Sequence, residues 1–151
     1  MAEAWPKRDI GVWLVQLGRR WRRTLDHELV GYGLTDATWR PLVYLGRLGD
    51  GIRQTELAEA LGIKGPSLVR LLDNLERDGL IVRHEDQGDR RAKILTMTAA
   101  GRQVYEQVVA VTDRVAERLL GDAEEAELAA VRRLFNRLDA ALRPPEPVDE
   151  P

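Results

Sequence analysis

The chain has 151 residues, enough for one domain or two small, closely packed ones. Its 23 basic and 25 acidic side chains give a formal net charge of −2, which argues against the uniformly basic class of nucleic-acid binder. Cysteine is absent, which excludes disulfides, thiolate metal sites and thiol redox sensing. With only two histidines, no metal or cofactor is expected. Short apolar runs and the lack of a signal peptide predict a soluble cytoplasmic protein without membrane contact.

The first half of the chain has a helical pattern. Residues 1–8 are expected to be a flexible N-terminus, and an apolar stripe over about residues 9–30 predicts the first helix. The stripe consists of Ile10, Trp13, Leu14, Leu17, Trp21 and Leu25, at three- and four-residue steps. Glycines that follow each segment predict three further helices, over about residues 36–47, 54–61 and 66–79.

The pattern changes after Gly79. Residues 80–85 and 92–97 are expected to be two short strands joined by a turn. Thr98 is a suitable N-cap for a long helix to about Leu120, and Asp122 is expected to cap a last helix. The apolar face of that last helix comprises Leu128, Val131, Phe135, Leu138 and Leu142. The proline-rich, acidic residues 143–151 are expected to be a disordered tail.

Two short helices around a glycine turn, followed by a hairpin, predict a winged helix-turn-helix domain over residues 35–98. The fold class is therefore mainly α with a small β-hairpin wing. Ala58 has the small side chain that fits where the two helices cross. Gly62 lies in the turn between them, where a positive φ is easily reached.

The fourth helix separates into two faces on a helical wheel. Its inward face comprises Leu68, Leu71, Leu72 and Leu75. Its outward face comprises Ser67, Arg70, Asn74 and Arg77, which can donate hydrogen bonds to base edges and phosphates. The acidic residues Asp73, Glu76 and Asp78 are expected mostly at its flank or C-terminal end. An ordinary solvated surface would look similar, but Asp89, Arg90 and Arg91 place two cations on the hairpin tip, where an arginine can enter a minor groove.

Five stretches of the chain carry a family resemblance, namely residues 54–58, 61–63, 66–76, 79–81 and 89–93. Together they resemble the multiple-antibiotic-resistance regulators, the MarR family, and within it the SlyA type. Met97 and Thr98 occupy the usual Leu-Thr position at the end of the wing. The likeness covers about residues 9–142.

The resemblance implies a homodimer in which residues 9–34 and 99–142 form the dimerisation region. Such a protein represses transcription from a near-palindromic, double-stranded DNA operator and is released by a small, often aromatic and anionic effector. The resemblance places Pro66, Ser67 and Arg70 near bases in the major groove. It places Arg91 in the minor groove, with Asp89 as its salt-bridge partner. The expected phosphate contacts are Lys64, Arg77 and Arg90.

The helix after Thr98 gives separate support for a dimer. Val104, Val108, Val111, Val115 and Leu119 lie on one side of it, and further apolar residues lie on another. A helix that is apolar nearly all round is expected to be buried between partners. The alternative is the core of a monomeric bundle.

An aromatic carboxylate is the expected effector. The candidate effector-binding residues are Trp21, His27, Trp39, Arg40 and Tyr44. The alternative is that the aromatic residues belong to the core and that His27 is solvated.

Two other functional classes have less support in the sequence. The chain lacks the common nucleophile, phosphate-loop, dinucleotide and zinc-protease motifs, so it is not expected to be an enzyme. Residues 52–98 contain eight basic and eight acidic side chains. That neutral balance keeps open a winged-helix module for dimerisation or protein contact without specific DNA binding.

Overall fold

The structure is a computed structural model that describes residues 6–89 and 91–143. A short 3-10 helix, Lys7–Asp9, precedes α1. The elements that follow are α1 Ile10–Val30, α2 Asp36–Leu48, β1 Ile52–Arg53, α3 Gln54–Leu61, α4 Pro66–Arg77, β2 Ile81–Glu85, β3 Lys93–Met97, α5 Ala99–Leu120 and α6 Glu125–Leu142. The predicted fold class, mainly α with a small β wing, is confirmed. The expectations for residues 1–5, for Arg90 and for residues 144–151 lie outside the described residues.

The described chain forms two compact units, one up to Val115 and one from Ala116. The first unit contains the winged helix-turn-helix and most of α5. The second contains the end of α5 and α6. No helix in the described ranges combines the length and apolarity needed to cross a bilayer.

The wing is part of a three-stranded antiparallel sheet of order β1-β3-β2. In the β2–β3 hairpin, Ile81 pairs with Met97 and Glu85 pairs with Lys93. The strand β1 adds Ile52 opposite Leu95. The sequence does not predict β1, because two residues are too few to show the alternation that identifies a strand.

The winged helix-turn-helix has its own core. Leu57, Leu72 and Leu95 are completely buried in it, and Ile81 nearly so. Gly62 has a φ of 66°, and the amide that follows it, of Ile63, donates to the Ala58 carbonyl at 3.1 Å. The predicted glycine turn is therefore confirmed, and its left-handed backbone lets α3 end and α4 begin within four residues.

A second core joins α1, α2 and α5. Val108, Val111 and Val115 of α5 are buried there with Leu29 of α1 and Trp39 of α2. For Val108, Val111 and Val115 this corrects the interpretation of the stripe, because they are covered by their own chain and need no partner; Leu119, at the end of the stripe, is 46% exposed. Apolar periodicity reports burial but does not say which chain provides the cover.

Both long C-terminal helices have defined starts. The Thr98 hydroxyl accepts a hydrogen bond from the Gly101 amide at 3.0 Å, so the predicted N-cap of α5 is confirmed. The prediction that Asp122 caps the last helix is wrong. That helix begins at Glu125, and the amide of Glu124 donates to the Glu127 carboxylate at 2.9 Å. This reciprocal capping arrangement fixes the start two residues later.

Candidate functional site

The helix α4 presents most of the predicted contact residues to solvent. Ser67, Arg70 and Arg77 are exposed, and Asn74 is half-buried. Pro66, also exposed, is the first residue of the helix, where its missing amide hydrogen costs no bond. Lys64 is exposed in the turn before it. The structure thus gathers these side chains at one exposed helix surface.

The two arginines of that surface are not equivalent. Arg70 has no ion-pair partner among residues 6–89 and 91–143. The Nε of Arg77 lies 3.3 Å from Oδ1 of Asp78, and both side chains are largely exposed. Exposed pairs of this kind contribute little energy, so Arg77 can exchange that partner for another anion.

An acidic residue lies among these cations. Asp73 follows Arg70 by three positions and precedes Arg77 by four, so all three share one side of α4. The Asp73 side chain is more than half exposed. Asp73 therefore lies at the flank of this face, the position expected for most of the acidic residues.

Arg83, on strand β2, holds the acidic residues of α4. Its Nη2 lies 2.7 Å from Oδ1 of Asp73 and 2.6 Å from Oε2 of Glu76. Its Nε donates to the same Glu76 oxygen at 3.0 Å, and its backbone amide donates to Glu76 Oε1 at 3.2 Å. These bonds lower the pKa of Glu76, chiefly through the Arg83 side chain. The wing and α4 are thereby joined by a charged network.

The base of the wing is fixed by a second ion pair. Nη2 of Arg53, on β1, donates to Oδ2 of Asp86 at 2.8 Å. The other oxygen of Asp86 accepts the Gly88 amide at 2.8 Å. The Gly88 bond, followed by the Arg53 bond, lowers the pKa of Asp86, so this carboxylate stays ionised at neutral pH. The turn toward the wing tip is therefore held from both sides.

The wing tip differs from the expected arrangement. Asp89 accepts the backbone amide of Arg91 at 3.0 Å, and no ion pair joins their side chains among the described residues. The reason is the two-residue separation, at which an aspartate closes a turn onto the backbone. The Arg91 side chain is consequently exposed and available.

A cavity of about 400 Å³ lies in the first unit, beside α2. Four of the five predicted effector residues line it, namely Trp21, Trp39, Arg40 and Tyr44. His27 does not line it and is exposed. Six residues beyond Trp21, it lies about 120° away around the helix and therefore outside this cavity.

The cavity combines aromatic walls with positive charge. Arg22 and Arg47 also line it, and sequence reasoning had not selected either as an effector residue. Nη2 of Arg40 donates to the Leu61 carbonyl, the last of α3, at 3.3 Å, and Nη1 lies 3.5 Å from the Asp36 carboxylate. The indole of Trp39 donates to Asp26 at 2.9 Å. Trp39 therefore holds α2 to α1 through Asp26, whereas Arg40 connects the cavity to the end of α3.

The sequence also did not predict the roles of Arg53 and Arg83. Neither is bonded to a predicted DNA contact, but their bonds to Asp86 and to Asp73 and Glu76 hold the wing and α4, which carry those contacts. Local pattern contains no signal for either, because their partners come from other elements.

Comparison with known proteins identifies the fold. The sequence profile of the MarR family matches residues 32–92. The solved transcriptional regulator PA3341 is 37% identical, with a TM-score of 0.79, over 88% of this chain and 97% of its own. MarR itself is 30% identical, with a TM-score of 0.70, over 87% of this chain and 96% of its own.

A third relative, MepR of S. aureus, was solved in a DNA-binding conformation. It is 26% identical with a TM-score of 0.76, over 89% of this chain and 98% of its own. A mutant of MepR was solved bound to an oligodeoxyribonucleotide, at 26% identity and a TM-score of 0.57, over the same shares of the two chains.

These likenesses span nearly the whole chain, and the family profile covers α4 and most of the β2–β3 hairpin. They agree with the expectation that the protein is not an enzyme, since the relatives are transcriptional regulators. The SlyA subtype stays a prediction. The chain belongs to the MarR family of transcriptional regulators.

Proposed function

We propose that the protein is a homodimeric repressor that reads a near-palindromic DNA operator and is released by a small anionic aromatic effector. The observation that carries the proposal is the exposed α4 surface with its free Arg70, beside a wing whose Arg91 is also unpaired in the described chain. The recognition helix enters the major groove, and Arg91 enters the minor groove. The MepR mutant solved bound to an oligodeoxyribonucleotide supports DNA binding by similarity.

Exposed apolar side chains support the dimer. On α1, Val12, Val15 and Leu17 are each more than half exposed. On α6, Val131 and Phe135 are nearly half exposed, and that helix has no buried residue. Single chains rarely leave so many large apolar groups in water, so a second copy covers them. Sedimentation should give twice the monomer mass, and Phe135→Asp should lower the association constant, whereas the solvent-facing change Arg8→Ala should not.

The DNA test is a selection of bound sequences from a random duplex pool, followed by variants. Arg70→Ala should cost roughly 1–3 kcal/mol of operator binding and relax base preference at one position in each half-site. Arg91→Ala should weaken binding most at sites with a narrow minor groove. Arg8→Ala, which removes the same charge from the N-terminal 3-10 helix, is the matched control. If wild type selects no sequence, or both test variants bind like the control, the chain is instead an interaction module.

The cavity beside α2 supports the proposal that a small aromatic anion releases the protein from DNA. Its indole and phenol rings can stack on an aromatic ring, and Arg22, Arg40 and Arg47 can neutralise a carboxylate. An anion that takes the Arg40 guanidinium would free the Leu61 carbonyl, next to the turn that positions α4. Through this exchange, binding of an anion in the cavity can change the position of the recognition helix α4.

Salicylate is the probe for this link. It should quench tryptophan fluorescence saturably and lower operator affinity. Arg40→Gln should bind operator more weakly without salicylate and show no further response to it. Saturable quenching with unchanged DNA affinity would contradict the effector role of the cavity.

A further inference from the structure

The recognition helix carries two carboxylates that would oppose its function if left free. Asp73 and Glu76 lie on α4 with Arg70, within a few residues of the proposed base contacts. Phosphate oxygens repel carboxylates over a Debye length of about 8 Å at physiological salt. Something must therefore hold these two groups and offset their charge.

Arg83 does both. It makes three side-chain bonds of 2.6–3.0 Å to the two carboxylates, and its backbone amide occupies the remaining Glu76 oxygen. Only 24% of its side chain is exposed. The pKa of Glu76 is lowered and that of Arg83 is raised, chiefly by their mutual hydrogen bond, so these two groups stay charged at neutral pH.

The geometry also limits what else Arg83 can do. Its Nε and Nη2 are committed to carboxylates, and the group is turned from the wing toward α4. A cation that contacts DNA would instead be exposed, as Arg70 and Arg91 are. Arg83 therefore has the surroundings of a supporting residue.

We propose that Arg83 is a positioning residue of the DNA site, which acts through Asp73 and Glu76 and does not touch DNA. It keeps both carboxylates turned toward the wing, offsets one of their two charges, and fixes α4 to the strand that leads to the wing tip. This inference rests on the proposed function.

The test is a mutant cycle on operator affinity, measured by fluorescence anisotropy at one salt concentration. Arg83→Met is made in the wild-type chain and in the Asp73→Asn/Glu76→Gln chain, where no carboxylate needs an arginine. We expect a loss of about tenfold or more in the first background and at most about twofold in the second. Arg70→Ala, the matched control, should lose the same factor in both.

A purely structural role predicts a different result. In that case Arg83→Met would lower the melting temperature but leave affinity unchanged well below it, so circular dichroism accompanies each measurement. Should Arg83→Met fail to fold in the wild-type chain, Arg83→Lys is measured there and should lose less affinity than Arg70→Ala. The Asp73→Asn/Glu76→Gln chain should also bind random duplex more tightly than wild type.

These outcomes distinguish a failure of the Arg83 inference from a failure of the proposed function. Equal losses from Arg83→Met in both backgrounds would show direct contact with DNA and overturn this inference alone, as would unchanged affinity in the wild-type background. A wild-type chain with no sequence preference would overturn the proposed function and this inference with it.

Discussion

Gly101 should tolerate no side chain. It is the third residue of α5 and is buried, and its amide is bonded to the Thr98 hydroxyl. A Cβ placed on it would overlap the carbonyl oxygen of Leu80 and lie 2.7 Å from Cγ of Met97. Met97 could rotate away, but the Leu80 carbonyl is backbone, and it also accepts the Thr98 amide at 3.1 Å. Gly101→Ala must therefore separate the start of α5 from the start of β2.

The cost can be bounded from these contacts. Overpacking a close contact costs typically about 1–3 kcal/mol, and overlap with backbone belongs at the upper end or beyond. Alanine has a higher helix propensity than glycine, which stabilises a helix interior by up to about 1 kcal/mol and a first turn by less. We expect a net loss of about 3 kcal/mol, a large part of the roughly 5–15 kcal/mol of a typical domain. At about 2–4 °C per kcal/mol, the melting temperature should fall by about 6–12 °C.

Thermal and urea unfolding at fixed protein concentration measure this loss. The matched control is Gly18→Ala in α1, where an added Cβ meets nothing within 4 Å. That variant should be neutral or gain up to about 1 kcal/mol. A Gly101→Ala protein that unfolds within about 0.5 kcal/mol of wild type would refute the argument, because it would show that α5 can move off the sheet at little cost.

Three further predictions concern single bonds. Trp39→Phe removes the indole bond to Asp26 and should cost about 1.5–3 kcal/mol in urea unfolding, and a loss under about 0.5 kcal/mol would mean that water replaces the bond. Thr98→Ala should cost about 1–2 kcal/mol because it removes the α5 cap, whereas Thr98→Ser should stay close to wild type. The Arg102 bond and the Met97 amide hold the pKa of Asp50 below its usual 3.8, so this carboxylate stabilises the fold at neutral pH. That contribution should disappear as pH falls through and below the range near 4, and Asp50→Asn should show a shallower acid loss of the urea midpoint than wild type.

Local features of this chain could be predicted from sequence. The Thr98 cap and the Gly62 turn depend on the residue itself and its nearest neighbours, and both are confirmed. The helices followed from spacing, because apolar residues at three- and four-residue steps fall on one side of a helix and on both sides of a strand.

Features that depend on distant partners could not be predicted. The bonds from Arg83 to α4 form only because the hairpin folds back onto that helix. The valines of α5 suggested a partner chain because their periodicity is the same whichever chain covers them. Trp21, Trp39 and Tyr44 line the cavity, whereas His27 does not, because its angular position on α1 depends on the helix as a whole.

If α4 reads DNA as proposed, the charge balance of its cluster with Arg83 has a consequence for how the protein finds its target. One guanidinium against two carboxylates leaves the Asp73, Glu76 and Arg83 cluster with one surplus negative charge. A regulator searches among about 10⁶–10⁹ competing positions in a genome, and every dwell on a wrong position lengthens the search. A surplus negative charge on this surface lowers the electrostatic affinity for non-specific DNA and so shortens the time spent at each wrong position. The protein would bind wrong sites more weakly and dissociate from them faster. Occupancy of the operator would then depend on its specific contacts and less on the amount of competing DNA in the cell.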